Sequence, residues 1–481
     1  MSDYVLAVDA GTTRIRALLV DGDRSVVSRA HTAADITHPA PGRVEQDAER
    51  LWAEARHVID ATLTTANIPR HEIAAIGIAA QRGNVIVWEK DTGRAVSPLV
   101  SWQDLRGTTR TAELLADGFL LSHQMSAAKL ESVLAGIDRG FDRLNAGTLL
   151  WGNLDTYLAW RLSGGTVYAA DHGQACATGY YDYFTGQWNT ALIEHQRLDP
   201  ARFPALVDSI GEIGSSAKDV CGAARPIGAL LADQQSAAIA QDCSASGLHK
   251  VSYGTSATLD ANTSGAMLFA PGCYPMVLYQ RGGQRTFCIE GMVNTAGAMI
   301  DWVVAELGLA ASVDSLSALA SSIDDCAGAF TLPALQGLGA PHGDAARTAM
   351  VGGLSRATTR AHIARAVLEG IAFRIREVAG AIRSVPEVQL ANHVRADGGA
   401  SRSDALMQIQ ADVLGIPVER LAIPEATALG AAIGAGCAVN LWDLQTPALR
   451  RIDRTFLPRW SEDEREGRYA TWRQRCGLAA P

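Results

Sequence analysis

The sequence predicts an α/β fold and hints at two related halves. Three observations carry this reading. Short apolar runs of strand character alternate with stretches of helical periodicity. The first run, 5–8, ends on a carboxylate, Asp9, followed by the small hydroxyl-bearing turn Gly11-Thr12-Thr13. A second glycine–hydroxyl turn, Gly254-Thr255-Ser256, interrupts the stretch 250–259 and distantly echoes the first.

In chain order, 5–8 and 17–20 read as two strands joined by that turn. Gly11 lets the backbone approach a ligand closely. Backbone N–H groups and the hydroxyls of Thr12 and Thr13 can then face phosphate oxygens. Asp9 suits a hydrated Mg²⁺, which commonly takes one or two carboxylates plus waters and phosphates. An ordinary hairpin with a polar turn fits the same residues. Asp47 caps a helix that places Ala48, Leu51, Trp52, Ala55, Val58 and Ile59 on one face. Segments 73–80 and 85–88 read as buried strands, the second closed by Asp91-Thr92-Gly93. Loop signals are denser over 176–225. Asp233-Gln234-Gln235 then punctuates the start of an alanine-rich helical stretch. A domain boundary falls near Ser244-Ala245-Ser246-Gly247, dividing the chain into 1–243 and 244–481. Beyond it, Ile363, Val367, Ile371, Ile375 and Val378 mark an amphipathic helix. Asp397-Gly398-Gly399-Ala400-Ser401 precedes another, over about 403–414, stopped by Gly415. The polar, arginine-rich segment after 450 reads as an exposed C-terminal helix.

Composition narrows the function classes. A chain of 481 residues suggests two to three domains, and 48% hydrophobic content supplies sizeable cores. A net charge of −9 with no basic run argues against a nucleic-acid partner. The longest small-apolar run, 427–439, is too short and glycine-rich for a membrane span. Eight scattered cysteines without a C-x-x-C pair fit free thiols in a reducing, cytoplasmic setting. Met1-Ser2-Asp3-Tyr4 shows neither the basic nor the apolar region of a secretory signal.

Further motifs fall in order along the chain: Gly42-Arg43-Val44-Glu45-Gln46-Asp47, Gln81-Arg82, Ser101-Trp102-Gln103-Asp104-Leu105-Arg106 and Asp233-Gln234-Gln235. They continue with Tyr253-Gly254-Thr255, Gly337-Leu338-Gly339-Ala340-Pro341, Asp397-Gly398-Gly399-Ala400 and Glu425-Ala426-Thr427-Ala428-Leu429-Gly430. Together with the first turn, this series resembles the FGGY carbohydrate kinases, the glycerol kinase-like sugar kinases, over nearly the whole chain. The resemblance implies two actin-like ATPase (ribonuclease H-like) domains with an interdomain cleft. It implies ATP and Mg²⁺ on the second domain, and a small polyol or sugar on the first. A homodimer or homotetramer is the oligomeric expectation.

The resemblance also assigns roles. Asp233 is similar to the family's catalytic aspartate, a general base for the acceptor hydroxyl. From the residues alone, an Asp capping the following helix is the alternative, and the two roles are compatible. Arg82, Trp102 and Gln234 are expected at the acceptor, although core packing alone would also account for Trp102. Asp9, with Asp233, is expected on the metal side. Gly11, Thr12, Thr13 and Arg16 are expected near phosphate, with a solvent-facing strand position the alternative for Arg16. Gly254 and Thr255 resemble the second phosphate turn, and Gly398, Gly399 and Ala400 the adenosine segment. Asp404 stands where glycerol kinases commonly carry Asn.

The acceptor motifs depart from glycerol kinase. The Gln-Arg-Glu-Thr motif reads Gln81-Arg82-Gly83-Asn84, and Gln124 falls where a substrate-contacting Tyr is expected. A missing hydrogen-bond partner weakens recognition of a substrate hydroxyl. Asp104, where glycerol kinases tend to have Cys, is expected to supply the lost carboxylate, and a glutamate restored at Gly83 to favour glycerol. These features predict an ATP-dependent kinase for a primary hydroxyl of a polyol or sugar of four to six carbons. Glycerol itself is the alternative acceptor. An actin-like ATPase acting as chaperone or sensor is the alternative of another class.

Overall fold

The computed structural model describes residues 4–444 and 451–478, so most of the N-terminal stretch read against a signal lies outside the described residues. Two compact units emerge. One comprises 1–240, 277–285 and 427–449, the other 241–276, 286–426 and 450–481.

In the first unit the main sheet is built from β1 (Tyr4–Ala10), β2 (Arg14–Val20), β3 (Val26–Ala33), β4 (Ile73–Ala80), β5 (Ile210–Ser215) and β6 (Pro226–Ala232). Their spatial order is β5-β6-β4-β1-β2-β3. β1 pairs parallel with β4, and β4 with β6, while β2 and β3 return antiparallel. β1 and β4 are buried along nearly their whole length, the signature of central strands covered on both faces. Helix α1 (Ala48–Ala66) packs on β2 and β3. Asp47 caps it by accepting from the Arg50 N–H, and Asn67 ends it in the left-handed region. Its buried face is Ala48, Leu51, Ala55, Val58, Ile59, Thr62 and Leu63. Trp52 is only half-buried, with the Arg161 guanidinium 4.9 Å over its ring. Two further helices matter for the site: α2 (Ala127–Ala135) and α3 (Asp233–Ala240).

The second sheet is built from β7 (His249–Tyr253), β8 (Ala257–Ser264), β9 (Tyr274–Arg281), β10 (Gln284–Val293), β11 (Val394–Asp397), β12 (Val418–Leu421) and β13 (Ile452–Phe456), of which residues 277–285 group with the first unit. They form a sheet of order β9-β10-β8-β7-β11-β12-β13. Read along each sheet, β10-β8-β7-β11-β12-β13 repeats β3-β2-β1-β4-β6-β5, with the same parallel and antiparallel steps. The echo between the two glycine turns therefore reflects duplicated topology. The turn at 254–256 separates two antiparallel strands rather than interrupting one.

The core of this unit is organised by α4 (Arg360–Arg383), which carries the expected apolar periodicity, and α5 (Asp404–Leu414). Ser403 caps α5 and Gly415 ends it with a φ of +71°. Helix α6 (Ala426–Ala438) contains the run judged too short for a membrane span. No helix among the described residues is long and apolar enough to cross one. Helix α7 (Glu462–Cys476) is not wholly exposed as expected. Trp472 and Cys476 are buried, and the Trp472 indole N–H donates to the Thr331 carbonyl at 2.9 Å.

The two-piece division at 243/244 leaves out one feature: residues 277–285 and, among the described residues, 427–444 pack with the first unit. Small residues make this packing close. A Cβ on Gly430 would lie 1.8 Å from the Ser236 carbonyl oxygen, and the Ser236 hydroxyl donates to the Thr427 carbonyl at 2.6 Å. All eight cysteines are free thiols, seven of them buried.

Gly430→Ala should therefore lose about 1–3 kcal/mol of stability by overpacking. Gly467→Ala is the control: it sits on α7 with nothing within 4 Å of its added methyl. That control should gain about 0.5–1 kcal/mol from helix propensity. Urea unfolding of the two variants checks both signs.

Candidate active site

Register fixes the first cluster. Ala10 at the end of β1 pairs with Ala80 at the end of β4, and Ala80 with Ala232 at the end of β6. The next residues along the three parallel strands are Gly11, Gln81 and Asp233, so the turn, the Gln81-Arg82 pair and Asp233 emerge from one edge. The carboxyl ends of parallel strands are where open α/β sheets bind ligands. Here Arg82 Nε lies 3.3 Å from Asp233 Oδ1, with both side chains partly exposed. Asp233 opens α3, and its Oδ1 also accepts the N–H of the next residue, Gln234, at 2.8 Å. Asp9 is buried, and its Oδ2 bonds Arg16 at 2.9 Å across β1 and β2. Arg16 thus faces Asp9 rather than bulk solvent.

A polar chain ties the first turn to the acceptor motifs. The Trp102 indole N–H donates to Thr12 Oγ1 at 3.1 Å, and that hydroxyl donates to Gln81 Oε1 at 3.1 Å. The Gln81 amide donates to Gln46 at 2.8 Å, and Gln46 donates back to the Thr12 carbonyl at 3.0 Å. Trp102 is half-buried with its polar edge engaged, so it is a wall of this cluster rather than a core residue. Arg82 also feels a second carboxylate, Asp171, which accepts from the Gly173 and Gln174 N–H groups and the Ser209 hydroxyl. Burial pushes the Asp171 carboxyl up to about 6 against the pull of these donors and of Arg82. No sequence signal marked Asp171, because a lone Asp before a short helix resembles any cap.

Asp104 is not the replacement carboxylate. Its side chain is 0% exposed. Oδ1 accepts the Arg106 backbone N–H and Nε at 2.9 and 2.7 Å. Oδ2 accepts the Val44 N–H and Arg106 Nη2 at 2.7 and 2.8 Å. Burial alone would raise its pKa, but Arg106 and the two backbone donors outweigh it and hold the carboxyl below its ordinary range. With both oxygens doubly bonded, Asp104 is a brace between the 42–46 and 101–106 loops. Arg106, which also bonds Glu45, completes that brace. The expectation for Gly83 fails for a backbone reason. Its φ is +63°, and a Cβ would sit 2.5 Å from the Gln124 carbonyl oxygen. A glutamate cannot enter there without moving that loop, and Gln124 presents its backbone to Gly83.

The second unit places its motifs at the matching strand ends. Ser252 of β7 pairs with Asp397 of β11, so Tyr253-Gly254-Thr255 and Gly398-Gly399-Ala400 leave the sheet side by side. Gly254 and Thr255 are exposed, and their carbonyls take the N–H groups of Ala296, Gly297 and Ala298. Gly398, at a φ of +89°, needs no side chain because a Cβ would lie 2.5 Å from the Tyr253 carbonyl oxygen. Gly399 is exposed, and nothing lies within 4 Å of its Cβ position. Asp404 bonds Arg420 at 2.8 Å and Arg454 at 2.5 Å, leaving it half-exposed.

Comparison with known proteins decides the class. Residues 4–240 match the N-terminal domain of the FGGY family of carbohydrate kinases, and residues 249–439 its C-terminal domain. The chain belongs to the FGGY family of carbohydrate kinases. A protein named glycerol kinase from Thermus brockianus is 38% identical over 98% of this chain and 97% of its own. Among solved structures, Plasmodium falciparum glycerol kinase with ADP superposes with a TM-score of 0.90 at 25% identity, covering 98% and 97% of the two chains. A xyloylose kinase from Brucella ovis superposes with a TM-score of 0.86 at 25% identity, covering 98% of each. This FGGY kinase is therefore a phosphotransferase acting on an alcohol group of a sugar or polyol, as the motif series implied.

Asp104→Asn in this FGGY kinase should cost about 3–5 kcal/mol with no ligand present, the range for removing one partner of a buried ion pair. Calorimetric or urea unfolding of the ligand-free protein checks it. A variant as stable as the parent, with only sugar affinity lost, would return Asp104 to the substrate.

Proposed function

We propose that this FGGY kinase transfers the γ-phosphoryl group of ATP to a primary hydroxyl of a polyol or sugar of four to six carbons. The observation that carries the reading is the Arg82–Asp233 pair at the common edge of β1, β4 and β6. Arg82 orients an acceptor hydroxyl by donating to it, with Gln234 beside it and Trp102 as the wall for the carbon chain. Gln234 and Arg82 engage Asp233 Oδ1. Oδ2 is the oxygen we assign to take the hydroxyl proton as the acceptor oxygen becomes nucleophilic.

The donor set fits a nucleotide and a hydrated metal in a restricted sense. Among the described residues no three His, Cys, Asp or Glu side chains cluster to hold a metal by themselves. Mg²⁺ held by Asp9 through water, with phosphate oxygens completing its shell, is consistent with that donor set, and Asp233 stands on the same edge. Bound Mg-ATP supplies the transferable phosphoryl group and neutralises its charge. Gly11, Thr12 and Thr13 offer N–H and hydroxyl donors to phosphate, as do Gly254 and Thr255 in the second unit. Gly399 and Ala400 offer an open backbone for adenosine.

Glycerol is the second reading, favoured by the relative named glycerol kinase. Against it stands the acceptor side. Gly83 supplies no carboxylate and Asp104 is committed to Arg106. A three-carbon triol has few hydroxyls with which to compensate, whereas a longer polyol has more.

An ADP-release screen over polyols, aldoses and ketoses separates these readings. A four- to six-carbon substrate should give the highest kcat/KM, and glycerol at the top would establish the second reading. ATP turnover that no acceptor stimulates would support the chaperone or sensor class instead. With the best acceptor, Asp233→Asn should lower kcat by roughly 10²- to 10⁴-fold while nucleotide binding persists.

Asp9→Ala should raise the Mg²⁺ requirement and weaken use of Mg-ATP more than acceptor binding. Titrating Mg²⁺ at fixed ATP checks this. An unchanged Mg²⁺ dependence with equal loss of acceptor affinity would remove Asp9 from the metal side.

A further inference from the structure

Lys129 lies in the first turn of α2 with its side chain wholly buried. Its ammonium donates to three backbone carbonyls: Gly83 at 2.6 Å, Gln124 at 2.8 Å and Ser101 at 3.1 Å. None of these partners is a carboxylate. An ammonium carries three N–H donors, so three carbonyls satisfy it. Burying it is costly, and that cost is tolerable only because each donor is used. The carbonyls come from three separate loops. Gly83 follows Arg82, Ser101 precedes Trp102, and Gln124 occupies the position where glycerol kinases place a substrate-contacting Tyr. A lysine serving only to fill the core would be replaceable by an apolar side chain of the same length. This one joins the three loops on which the acceptor reading rests.

We propose that Lys129 is a positioning residue for the acceptor: its ammonium holds Arg82, Trp102 and Gln124 in mutual register, so that acceptor affinity depends on the charge of this one buried amine. The inference rests on the assignment of those loops to the acceptor. The groups whose charges act on the amine are Asp104 and Arg106 from the 101–106 loop and His123 from the segment before α2. Burial pushes the Lys129 amine down to about 7, with Asp104 opposing and Arg106 adding to the shift. Burial and then the Lys129 charge push His123 below its ordinary value. Asp104 is held down and Arg106 up, so both stay charged near neutrality. Of these groups Lys129 alone changes charge as pH rises through about 7. The neutral amine has two N–H donors for three carbonyls, and one loop loses its tie.

The test is a split of kinetic constants. Lys129→Met conserves length and removes the donors. It should raise the acceptor KM by about 10-fold or more, the range for losing a hydrogen bond to a charged group. The ATP KM and kcat at saturating acceptor should stay close to the parent's. The parent's acceptor KM should rise between about pH 6 and about pH 8.5, and that rise should vanish in the variant. An equal increase in both KM values, or no change in a folded variant, would overturn the proposal. Hydrogen exchange supplies an arm that needs no activity. In the variant, and in the parent at the higher pH after correction for intrinsic rates, segments 81–84, 101–106 and 122–126 should lose protection together. Retained protection in all three would overturn the proposal even if no acceptor is found, whereas lost protection with no stimulating acceptor would count against the proposed function alone. If Lys129→Met does not fold, the pH arms on the parent protein decide.

Discussion

Three parallel strands ending at one level bring the charged groups of the first unit to one edge. Because Ala10, Ala80 and Ala232 are register partners, the residues that follow them cannot drift apart without breaking the sheet ladder. A slip of one residue would turn every side chain to the opposite face and take these residues off the shared edge. The ladder of β1, β4 and β6 thus fixes where Asp9, Arg82 and Asp233 stand. Loops alone would hold these groups less well, since connecting segments are the more mobile part of a fold.

Buried charge is the second constraint, and it serves placement more than stability. Asp104 with Arg106, and Lys129 with three carbonyls, are removed from water close to the acceptor loops. Such arrangements add little net stability compared with well-packed apolar side chains. They are directional, however, and an apolar contact is not. A guanidinium bonded in parallel to both oxygens of one carboxylate fixes angle as well as distance. Here that device links the 42–46 segment to the 101–106 segment through the Val44 N–H and Glu45. The polar chain through Thr12, Gln81, Gln46 and Trp102 runs alongside it. Two networks of different chemistry thus define the same loops.

The alternation of strands and helices, the cap at Asp47, the stop at Gly415 and the glycine turns were legible in the sequence. Each rests on local geometry or local periodicity. The roles of Asp104 and Gly83 were not, because they depend on partners distant in sequence. A carboxylate two residues from an Arg reads equally well as a ligand or as a brace. Only the Val44 N–H, contributed from 60 positions away, settles which it is. Gly83 looked like a deletion of function, and it is a backbone crossing against Gln124. Lys129 was not marked either, because its partners are carbonyls, which leave no trace in side-chain identity. The packing of 427–444 with the first unit was hidden for the same reason. A run of small residues records close approach without naming what approaches.

Six strands of each sheet share one spatial order and pairing sense and differ in what stands at equivalent ends. In the first unit β1, β4 and β6 end in charged groups: Asp9, the Arg82 pair and Asp233. In the second, β7 and β11 end in Gly254-Thr255 and Gly398-Gly399, and the charge lies beneath the turns instead. Lys250, wholly buried, sits 2.8 Å from Asp260 and 2.7 Å from the Ser252 hydroxyl, which in turn donates to Asp397 at 2.6 Å. That chain links β7 to β11 directly below the two glycine turns. The partly exposed pair Arg82 and Asp233 is of the kind that can orient and deprotonate a hydroxyl. Bare backbone at strand ends can lie against a base, a ribose or a row of phosphate oxygens. One strand arrangement, with different residues at its ends, thus gives this chain a charged edge in the first unit and a bare-backbone edge in the second, the two kinds of surface that the proposed transfer from a nucleotide to an alcohol calls for.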